Sequence, residues 1–404
     1  MLPRASTRAL SIALLLVACN GHSVGASDTK GDVGDDDGER CEGAALEFAD
    51  VCFFPHSVEA MGFEHPLELD GEPGHELVGL EDGKVSVHKW NGSGFDLVGD
   101  AETPPKVSSP LRVVSGEFDD EPGLDLIVSE TGEWATLYHL DSAGRPTLVH
   151  TTSFSVPETT HPFEASVAVG PDAQGRWRVV AHFNDVGEWA ARDRLALWEV
   201  QGTTLVDERL DLPTDACELG GCIAGDFNGD GRQDAVCTIL DYCSDPSAET
   251  EIIHVVLLAQ ADGSVTVDAY PTSVGPGSMM EGDLNGDAMA DLVGRVELIY
   301  RLADGGGGLE PGVVGELPPA PDIRWRAVSL GDVDGDTDGE LVLGERNDML
   351  VVQDYLGDAT THERRTVEQF EFGASVGRPV DVNGDGVVEL PVLGDVLLVS
   401  KVVP

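Results

Sequence analysis

An acidic, glycine-rich decapeptide begins at Gly225 and reads GDFNGDGRQD. Its oxygen-bearing side chains stand at Asp226, Asn228, Asp230 and Asp234. We number its positions from 1 at Asp226 to 9 at Asp234 and call Gly225 position 0. Short apolar runs rich in Val, Ile and Leu flank it on both sides, which is typical of β-strands. The sequence therefore predicts a tight acidic loop between two strands.

The same pattern recurs along the chain and divides residues 43–404 into seven units of about 50 residues. Four copies are strong, two are degenerate, and one is heavily eroded. Numbered from the N-terminus, they are loop 1 (68–76), loop 2 (117–125), loop 3 (eroded, starting at Pro171), loop 4 (226–234), loop 5 (283–291), loop 6 (332–340) and loop 7 (381–389). A unit of this length suits one four-stranded propeller blade.

The predicted fold class is all-β: a seven-bladed β-propeller of four-stranded antiparallel blades, with almost no helix. After loop 7 only two strands remain, at 389–393 and 396–402, so the last blade is short of a strand. Residues 43–60 contain a strand-like run from Val51 to Phe54. We expect this N-terminal segment to pair with the last blade and close the ring, which protects the sheet edges from association.

The strong loops place oxygen ligands at positions 1, 3, 5 and 9, and the backbone carbonyl at position 7 can add another. Calcium takes six to eight oxygens in an adaptable shell, whereas zinc favours His and Cys. Asp-Gly hairpin turns are the alternative interpretation, but four matching copies favour about four structural Ca²⁺ sites. The predicted ligands are Asp226, Asn228, Asp230, Arg232 and Asp234; Asp283, Asn285, Asp287, Met289 and Asp291; Asp332, Asp334, Asp336, Asp338 and Glu340; and Asp381, Asn383, Asp385, Val387 and Glu389.

The loops differ in how well they suit the ion. Loops 4 and 7 have glycine at position 6, where positive φ is easiest, whereas loops 5 and 6 carry Ala288 and Thr337 there. Loop 2 is a weaker candidate because Pro122 and long Glu side chains hinder closure; its acids are Glu117, Asp119, Glu121 and Asp125. Loop 1 is poorer still, and loop 3 is expected to bind nothing. Position 12 carries no Glu, so the loops are not EF-hands.

The pattern Gly-Asp-x-Asn-Gly-Asp-Gly-x-x-Asp, followed by three apolar residues, resembles the FG-GAP/VCBS repeat. Repeats of this family build the calcium-binding propeller of integrin α-subunits and of many bacterial surface proteins. The resemblance covers nearly all of residues 43–404, strongly in four units and weakly in three. It implies structural calcium on one face of the ring, with partners docking on the other face or the rim.

The N-terminal residues predict export. Arg4 and Arg8 precede a short apolar run, Ala9–Ala18, and the small residues before Cys19 resemble the bacterial lipobox. An ordinary secretory signal is the alternative. We therefore expect a signal peptide at 1–18, a lipidated Cys19 and a disordered acidic tether at 19–42. The expected location is the outer membrane or cell surface, with a periplasm-facing lipoprotein as the alternative, held to the membrane by the lipid alone.

Charge excludes one class of partner. The chain has 24 Lys and Arg against 74 Asp and Glu, a formal net charge of −50. Without a basic patch it has no means of binding nucleic acid through phosphates. Such an excess of carboxylates requires counter-cations, which agrees with metal-binding loops.

Six cysteines remain after Cys19, an even number that indicates disulfides in an exported chain. Local pairing is the first expectation: Cys41–Cys52, Cys217–Cys222 and Cys237–Cys243. The alternative for the last four is Cys217–Cys243 together with Cys222–Cys237, across one hairpin.

No catalytic motif stands out, so the sequence favours binding over catalysis. We expect a monomeric propeller that acts as a surface protein-binding or scaffold module. A calcium-dependent, lectin-like carbohydrate binder is the alternative, and a propeller lyase or hydrolase is less favoured. Stacking on sugars would use tryptophans, although packing between blades explains them better; they are Trp90, Trp134, Trp177, Trp189, Trp198 and Trp325.

Overall fold

A computed structural model of the chain provides the fold. It describes residues 46–48, 51–57, 63–67, 76–81, 83–103, 111–130, 134–152, 163–183, 194–201, 204–212, 218–241, 251–272, 279–294, 299–301, 303, 309, 313–314, 326–333, 340–344, 349–355, 362–369, 381–384, 387–392 and 396–402. The chain divides into two units, Met1–Arg40 and Cys41–Pro404, and every described residue lies in the second. The predicted signal peptide, lipidated Cys19 and tether therefore lie outside the described residues.

The regular elements of the described part are strands. The first half contains β1 (Leu46–Phe48), β2 (Val51–Ser57), β3 (Phe63–Leu67), β4 (Glu76–Glu81), β5 (Lys84–Trp90), β6 (Phe95–Glu102), β7 (Leu111–Gly116), β8 (Asp125–Glu130), β9 (Trp134–Leu140), β10 (Pro146–Thr152), β11 (Phe163–Val169), β12 (Arg178–Phe183), β13 (Arg194–Gln201) and β14 (Thr204–Arg209). The second half contains β15 (Glu218–Gly225), β16 (Asp234–Asp241), β17 (Glu251–Ala259), β18 (Val265–Thr272), β19 (Met279–Gly282), β20 (Asp291–Gly294), β21 (Ile299–Arg301), β22 (Val313–Val314), β23 (Arg326–Gly331), β24 (Glu340–Gly344), β25 (Met349–Tyr355), β26 (His362–Gln369), β27 (Leu390–Val392) and β28 (Val396–Val402). Across these residues no helix has the length and apolar character needed to cross a membrane.

The strands pair into four-stranded antiparallel sheets, and seven such sheets lie within the described residues. Six of them are meanders of consecutive strands. We name them sheet 1 (β3–β6), sheet 2 (β7–β10), sheet 3 (β11–β14), sheet 4 (β15–β18), sheet 5 (β19–β22) and sheet 6 (β23–β26). Contacts join β3 to β7, β7 to β11, β11 to β15, β15 to β19 and β19 to β23, so the first strands of consecutive sheets lie side by side.

Consecutive sheets also pack face to face, and this explains why their central strands are apolar on both sides. In β8, Leu126 and Val128 pack on sheet 1, whereas Ile127 between them packs on sheet 3. All three side chains are fully buried. A strand covered on both faces reads as a continuous apolar run rather than an alternating one. The core is thus a series of layers between neighbouring sheets.

Sheet 7 is built from both ends of the unit, in the order β1-β2-β28-β27. Strand β2 pairs antiparallel with β28, with Val51 opposite Val402 and Ser57 opposite Val396. The pairing expected between residues 43–60 and the last blade is therefore present. It ties the first described strands to the last ones through backbone hydrogen bonds.

One disulfide in the described residues corrects the first expectation for the cysteines. Cys222 and Cys237 are directly opposite each other on β15 and β16, with their Cα atoms 4.0 Å apart, and they form a disulfide. The local pairs Cys217–Cys222 and Cys237–Cys243 are therefore wrong, and the cross-hairpin alternative holds for this pair. Cys52 is also disulfide-bonded, while Cys41, Cys217 and Cys243 lie outside the described residues.

Candidate metal centres

Loops 1 to 6 each connect the first and second strands of their sheet, and they share one register. The residue at position 0 lies opposite the residue at position 9 on the neighbouring strand. The pairs are Leu67–Glu76, Gly116–Asp125, Val169–Arg178, Gly225–Asp234, Gly282–Asp291 and Gly331–Glu340. This register corrects the start of loop 3 from Pro171 to Gly170, so that loop 3 spans 170–178 and its position 9 is Arg178.

The acid at position 9 is buried in every loop where its side chain is described. Relative exposure is 2% for Glu76 and 0% for Asp125, Asp234, Asp291 and Glu389. A buried carboxylate needs hydrogen bonds and a compensating charge. The partner of position 9 is therefore the feature that distinguishes one loop from another.

Loop 4 winds around the carboxylate of Asp226. Its Oδ1 accepts a hydrogen bond from the backbone N–H of Gly229 at 2.8 Å, and its Oδ2 accepts one from that of Gly231 at 2.7 Å. Both glycines have positive φ, 72° and 78° respectively, which only glycine adopts at no steric cost. These bonds bend the loop so that its acidic side chains gather on one side.

Asp234 closes loop 4 from the strand. Its Oδ2 accepts from the N–H of Phe227 at 3.2 Å and its Oδ1 from the N–H of Ala259 at 2.8 Å. Burial is the main cause that raises the pKa of Asp234, to about 7, and the charges of Asp230 and Asp226 raise it further. Positions 1, 5 and 9 therefore lie close enough to repel one another.

Loop 5 repeats this geometry. Asp283 Oδ2 accepts from the N–H of Ala288 at 2.7 Å, and Asp291 accepts from Leu284 at 3.0 Å and Ala303 at 2.9 Å. Burial again leads the causes that raise the pKa of Asp291 to about 7, with the charges of Asp287 and Asp283 adding to it. Ala288 has φ 65°, the left-handed conformation that was expected to be difficult there without glycine.

Loops 6 and 7 are described in part. In loop 7, Glu389 accepts from the N–H of Val382 at 2.7 Å and from the side-chain amide of Asn383 at 2.6 Å, while Asp381 accepts from the N–H of Gly384 at 2.6 Å. Position 7 of this loop, Val387, is buried. Asp334, Asp336, Asp338 and Asp385 lie outside the described residues, as does the side chain of Glu340; Asp332 directly follows β23.

The oxygen atoms of loops 4 and 5 suit calcium as ligands. Asn285 and Asn228 stand at position 3 and accept from the N–H at position 5, at 3.1 Å and 2.9 Å. An oxygen that accepts one N–H bond keeps a second lone pair for a cation, so winding the loop leaves ligands available. At position 7, Met289 donates its N–H to Asp287, and Arg232 adds a 2.6 Å ion pair to Asp230.

Loops 1 to 3 differ from these, because the side chain at position 9 has a charged or imidazole side chain of the same sheet as its partner. In loop 1, Lys89 Nζ lies 3.2 Å from Glu76. In loop 2, His139 Nδ1 lies 2.8 Å from Asp125 Oδ1. In loop 3 the sign is reversed, because Arg178 occupies position 9 and pairs with Glu199 at 3.3 Å and Glu208 at 3.4 Å; Arg176 pairs with Asp172 at 3.2 Å.

Backbone hydrogen bonds connect one loop to the next, a link that the sequence did not predict. The N–H at position 8 donates to the carbonyl at position 1 of the preceding loop. The bonds are Trp177–Glu117 at 2.8 Å, Gln233–Gly170 at 2.6 Å, Ala290–Asp226 at 2.7 Å and Val388–Asp332 at 3.1 Å. Because position 1 belongs to the predicted ligand set, neighbouring sites share a rigid link.

In loops 2 and 4, glycine at position 0 leaves room for position 8 of the next loop. A Cβ at Gly225 would lie 2.5 Å from the Cβ of Ala290, and a Cβ at Gly116 would lie 2.9 Å from the ring of Trp177. Both of those neighbours are position 8 of the next loop. The glycine before the acid in loops 2 and 4 was therefore the sequence signal for these two links, whereas the link from loop 4 to loop 3 forms with Val169 at position 0.

No family model and no curated protein matches the chain. Solved structures do. An Agrocybe aegerita lectin, which specifically recognises non-reducing terminal N-acetylglucosamine, is 14% identical over 83% of this chain and 87% of its own, with TM-score 0.50. BBS1N, in complex with ARL6DN, is 13% identical over 89% and 98%, with TM-score 0.50. Chaetomium thermophilum Raptor is 9% identical over 89% of this chain and 29% of its own, with TM-score 0.53. At such identities the likeness concerns the fold alone, which is all-β and propeller-like.

Proposed function

We propose that this chain is an exported, calcium-stabilised β-propeller of the FG-GAP/VCBS type that acts by binding a partner rather than by catalysis. The observation that supports it best is the pair of buried acids at position 9 of loops 4 and 5. Burial and the neighbouring carboxylates raise the pKa values of Asp234 and Asp291 to about 7. A bound divalent cation reverses that effect, because an opposite charge favours the ionised carboxylate.

In loop 4 the ion would be held by Asp226, Asn228, Asp230 and Asp234 with the carbonyl of Arg232, and loop 5 offers the equivalent set. Loops 6 and 7 carry the same pattern in their sequence. Calcium supplies charge neutralisation and a rigid connection, so its role is structural. An ion in one loop also fixes position 1, whose carbonyl receives the N–H of the next loop, as from Ala290 to Asp226.

We further propose that the seven sheets are the blades of one closed ring. Three features support this: the side-by-side first strands of sheets 1 to 6, the face-to-face packing of sheets, and the pairing of β2 with β28. Closure of this kind removes free sheet edges and fixes the two chain ends together. Such a monomeric ring offers two faces and a rim to a partner.

Calcium counting tests the proposed sites. The full chain, freed of metal and titrated with Ca²⁺, should bind about four ions, the number of loops with a complete oxygen pattern. Asp226→Asn should remove one of them. The matched control is Asp141→Asn, an acid of similar turn geometry outside the loops, which should leave the number unchanged. Equal calcium binding by Asp226→Asn and the parent chain would contradict the proposal.

The proposed partner is a protein on the cell surface, and its binding is expected to depend on calcium. Capture from an envelope extract by the immobilised chain, with calcium and then with chelator, measures this. Recovery of the same proteins under both conditions would mean that the calcium sites have no part in recognition. A chain that kept its fold and captured nothing would point to another kind of ligand.

A glycan ligand is the second candidate, favoured by the structural likeness to the N-acetylglucosamine-recognising lectin. The tryptophans give it little support. Trp198 is buried in the layer between sheets 2 and 3, and Trp177 packs on Gly116. Trp90 contacts Phe95 edge-on at 5.1 Å, and Trp189 and Trp325 lie outside the described residues. Glycan-array binding that chelator abolishes would select this candidate over the protein partner.

Lipid attachment at Cys19 is part of the proposal and is tested separately. Cells fed a labelled fatty acid should incorporate the label into the parent chain and not into Cys19→Ala. The same substitution should move the protein from the membrane fraction to the soluble one. Membrane retention of the unlabelled variant would show that another segment provides the anchor.

A further inference from the structure

In loop 2 a histidine nitrogen faces the buried acid at position 9. Asp119 at position 3, Asp125 at position 9 and His139 on β9 each offer one atom that can bind a metal. These three atoms lie within 4.8 Å of one another. They come from three separate places in the chain, which strand pairing brings together: Asp125 and His139 are direct cross-strand partners on β8 and β9.

The two carboxylates are held so that they face the imidazole. Asp125 Oδ2 accepts from the backbone N–H groups of Phe118 at 2.8 Å and Asp119 at 3.1 Å, which leaves Oδ1 directed at His139 Nδ1. Asp119 Oδ1 accepts from the N–H of Glu121 at 2.7 Å. Within the described part of the chain, no group donates to Asp119 Oδ2.

Gly123 provides the space for the imidazole ring. A Cβ at this position would lie 2.8 Å from His139 Cε1 and 3.2 Å from its Nε2. Its φ of 143° is a conformation that side chains rarely adopt, so two constraints require glycine here. The ring is therefore seated against the loop backbone rather than extended into solvent, although 23% of the side chain is exposed.

We propose that loop 2 is a site for a zinc-type transition-metal ion, with Asp119, Asp125 and His139 as its protein ligands. Imidazole and carboxylate together suit Zn²⁺ and its neighbours, whereas calcium is bound by oxygen alone. Three protein ligands leave a fourth position for water or an external group. Asp125 Oδ1 and His139 Nδ1, 2.8 Å apart, share a hydrogen bond whose proton the ion would replace, and the two atoms would move slightly apart to reach tetrahedral spacing.

Lys89 of loop 1 and Arg178 of loop 3 occupy related places but cannot serve as ligands, because ammonium and guanidinium have no lone pair to donate. Among these three side chains, only the imidazole of His139 can provide a ligand nitrogen, because a metal ion can displace its ring proton. This separates loop 2 both from the self-neutralised loops on either side and from the all-oxygen loops 4 and 5. The chain would then carry two classes of metal site.

Competition between two ions tests the inference. The full chain, saturated with calcium, is titrated with Zn²⁺ by calorimetry, and Co²⁺ absorption reports the donor type. The expected result is one tight Zn²⁺ site that excess calcium does not displace. In His139→Asn the side-chain amide still donates to Asp125, but the ligand nitrogen is gone. Zinc affinity should fall on the order of a hundredfold, which is the upper end of the loss caused by substituting residues that support metal ligands.

Two further readings make the result decisive. His139→Asn should still melt cooperatively in chelator, slightly below the parent's temperature because His139 is the partner of buried Asp125, and this separates loss of a ligand from loss of folding. Asp119→Asn should weaken zinc binding while calcium stoichiometry stays the same. The inference fails if His139→Asn binds Zn²⁺ as tightly as the parent, or if calcium displaces the ion completely. Because calcium binding by loops 4 and 5 is counted separately, failure here leaves the proposed function intact.

Discussion

Loops 3 and 4 occupy equivalent places in neighbouring sheets, but their side chains at position 9, Arg178 and Asp234, have opposite charges. Both connect first and second strands in the same register, with position 9 opposite position 0. Arg178 in loop 3 pairs with Glu199 and Glu208, which lie on the next two strands of its own sheet. Asp234 in loop 4 is instead bound by backbone amides and faces two more acids. The same position thus holds a base paired with acids in loop 3 and an acid beside further acids in loop 4, where we expect a bound cation to balance the charge.

The difference extends beyond these two loops. Loop 1 resembles loop 3 in having a cationic side chain, Lys89, beside the buried acid Glu76. Loop 5 resembles loop 4 in every described contact of its position 9 acid, Asp291. The degenerate motifs are therefore not simply damaged copies. In loops 1 and 3 a residue of the same sheet provides the charge partner of the side chain at position 9.

Calcium removal should give the largest effect and should act unequally on the two groups of loops. Each site contributes about 3 kcal/mol at a hundredfold excess of calcium over the Kd. Chelator should therefore lower the melting temperature strongly. Hydrogen exchange should quicken first at the N–H groups of Phe227 and Leu284, which donate to Asp234 and Asp291.

The N–H of Trp177 serves as the internal control for that experiment. It donates to Glu117 within the pair of loops 2 and 3, and loop 3 contains its own cations. Its exchange should change least. An equal increase in hydrogen exchange across all loops would show that the sheets unfold as one unit. The two groups of loops would then not differ in local stability. An unchanged melt after verified removal of calcium would contradict structural sites altogether.

The pH dependence in chelator should be the second-largest effect. An unfolded Asp titrates near 3.9, whereas the folded pKa values of Asp234 and Asp291 are raised to about 7. Between these two pKa values the folded state binds more protons than the unfolded state. The free energy of unfolding is therefore greatest below the unfolded pKa and falls as pH rises through about 7. Melting curves between pH 4 and 8 in chelator should show that fall, and saturating calcium should remove it. A melting temperature that rises with pH in chelator would contradict the raised pKa values.

Two substitutions should respond differently to calcium: for one of them the change in folding stability should reverse sign when calcium is added, and for the other it should not. Asp287→Asn removes a like charge near Asp291 and also a predicted ligand. In chelator it should stabilise the fold by about 0.5 kcal/mol, as expected for an exposed charge, and in calcium it should destabilise it. Arg178→Met breaks ion pairs that need no metal, so it should cost ~1–2 kcal/mol in both conditions. Denaturant unfolding with and without calcium measures all four values.

The sequence predicted the strand-loop-strand units and the pairing of residues 43–60 with the last blade, because apolar runs and a regular repeat report backbone pattern directly. It did not predict the partners at position 9. Lys89 and His139 lie on the third strand of their sheets, opposite Glu76 and Asp125, and only the strand register brings them there. The same register explains the Cys222–Cys237 disulfide, which spacing along the chain disfavoured.

The smallest expected effect separates loop 4 from loop 5, its nearest equivalent. Position 6 has positive φ in both, 78° at Gly231 and 65° at Ala288, and only the alanine pays a steric cost in that conformation. Ala288→Gly should stabilise the fold by about 0.5–1 kcal/mol and raise the calcium affinity of loop 5, since the N–H at this position helps to hold Asp283. Gly231→Ala should do the reverse in loop 4. If Ala288→Gly instead weakens calcium binding, backbone strain does not explain a difference in calcium affinity between the two loops. Substitutions of Asn285 and Met289 would then test the other differences between them.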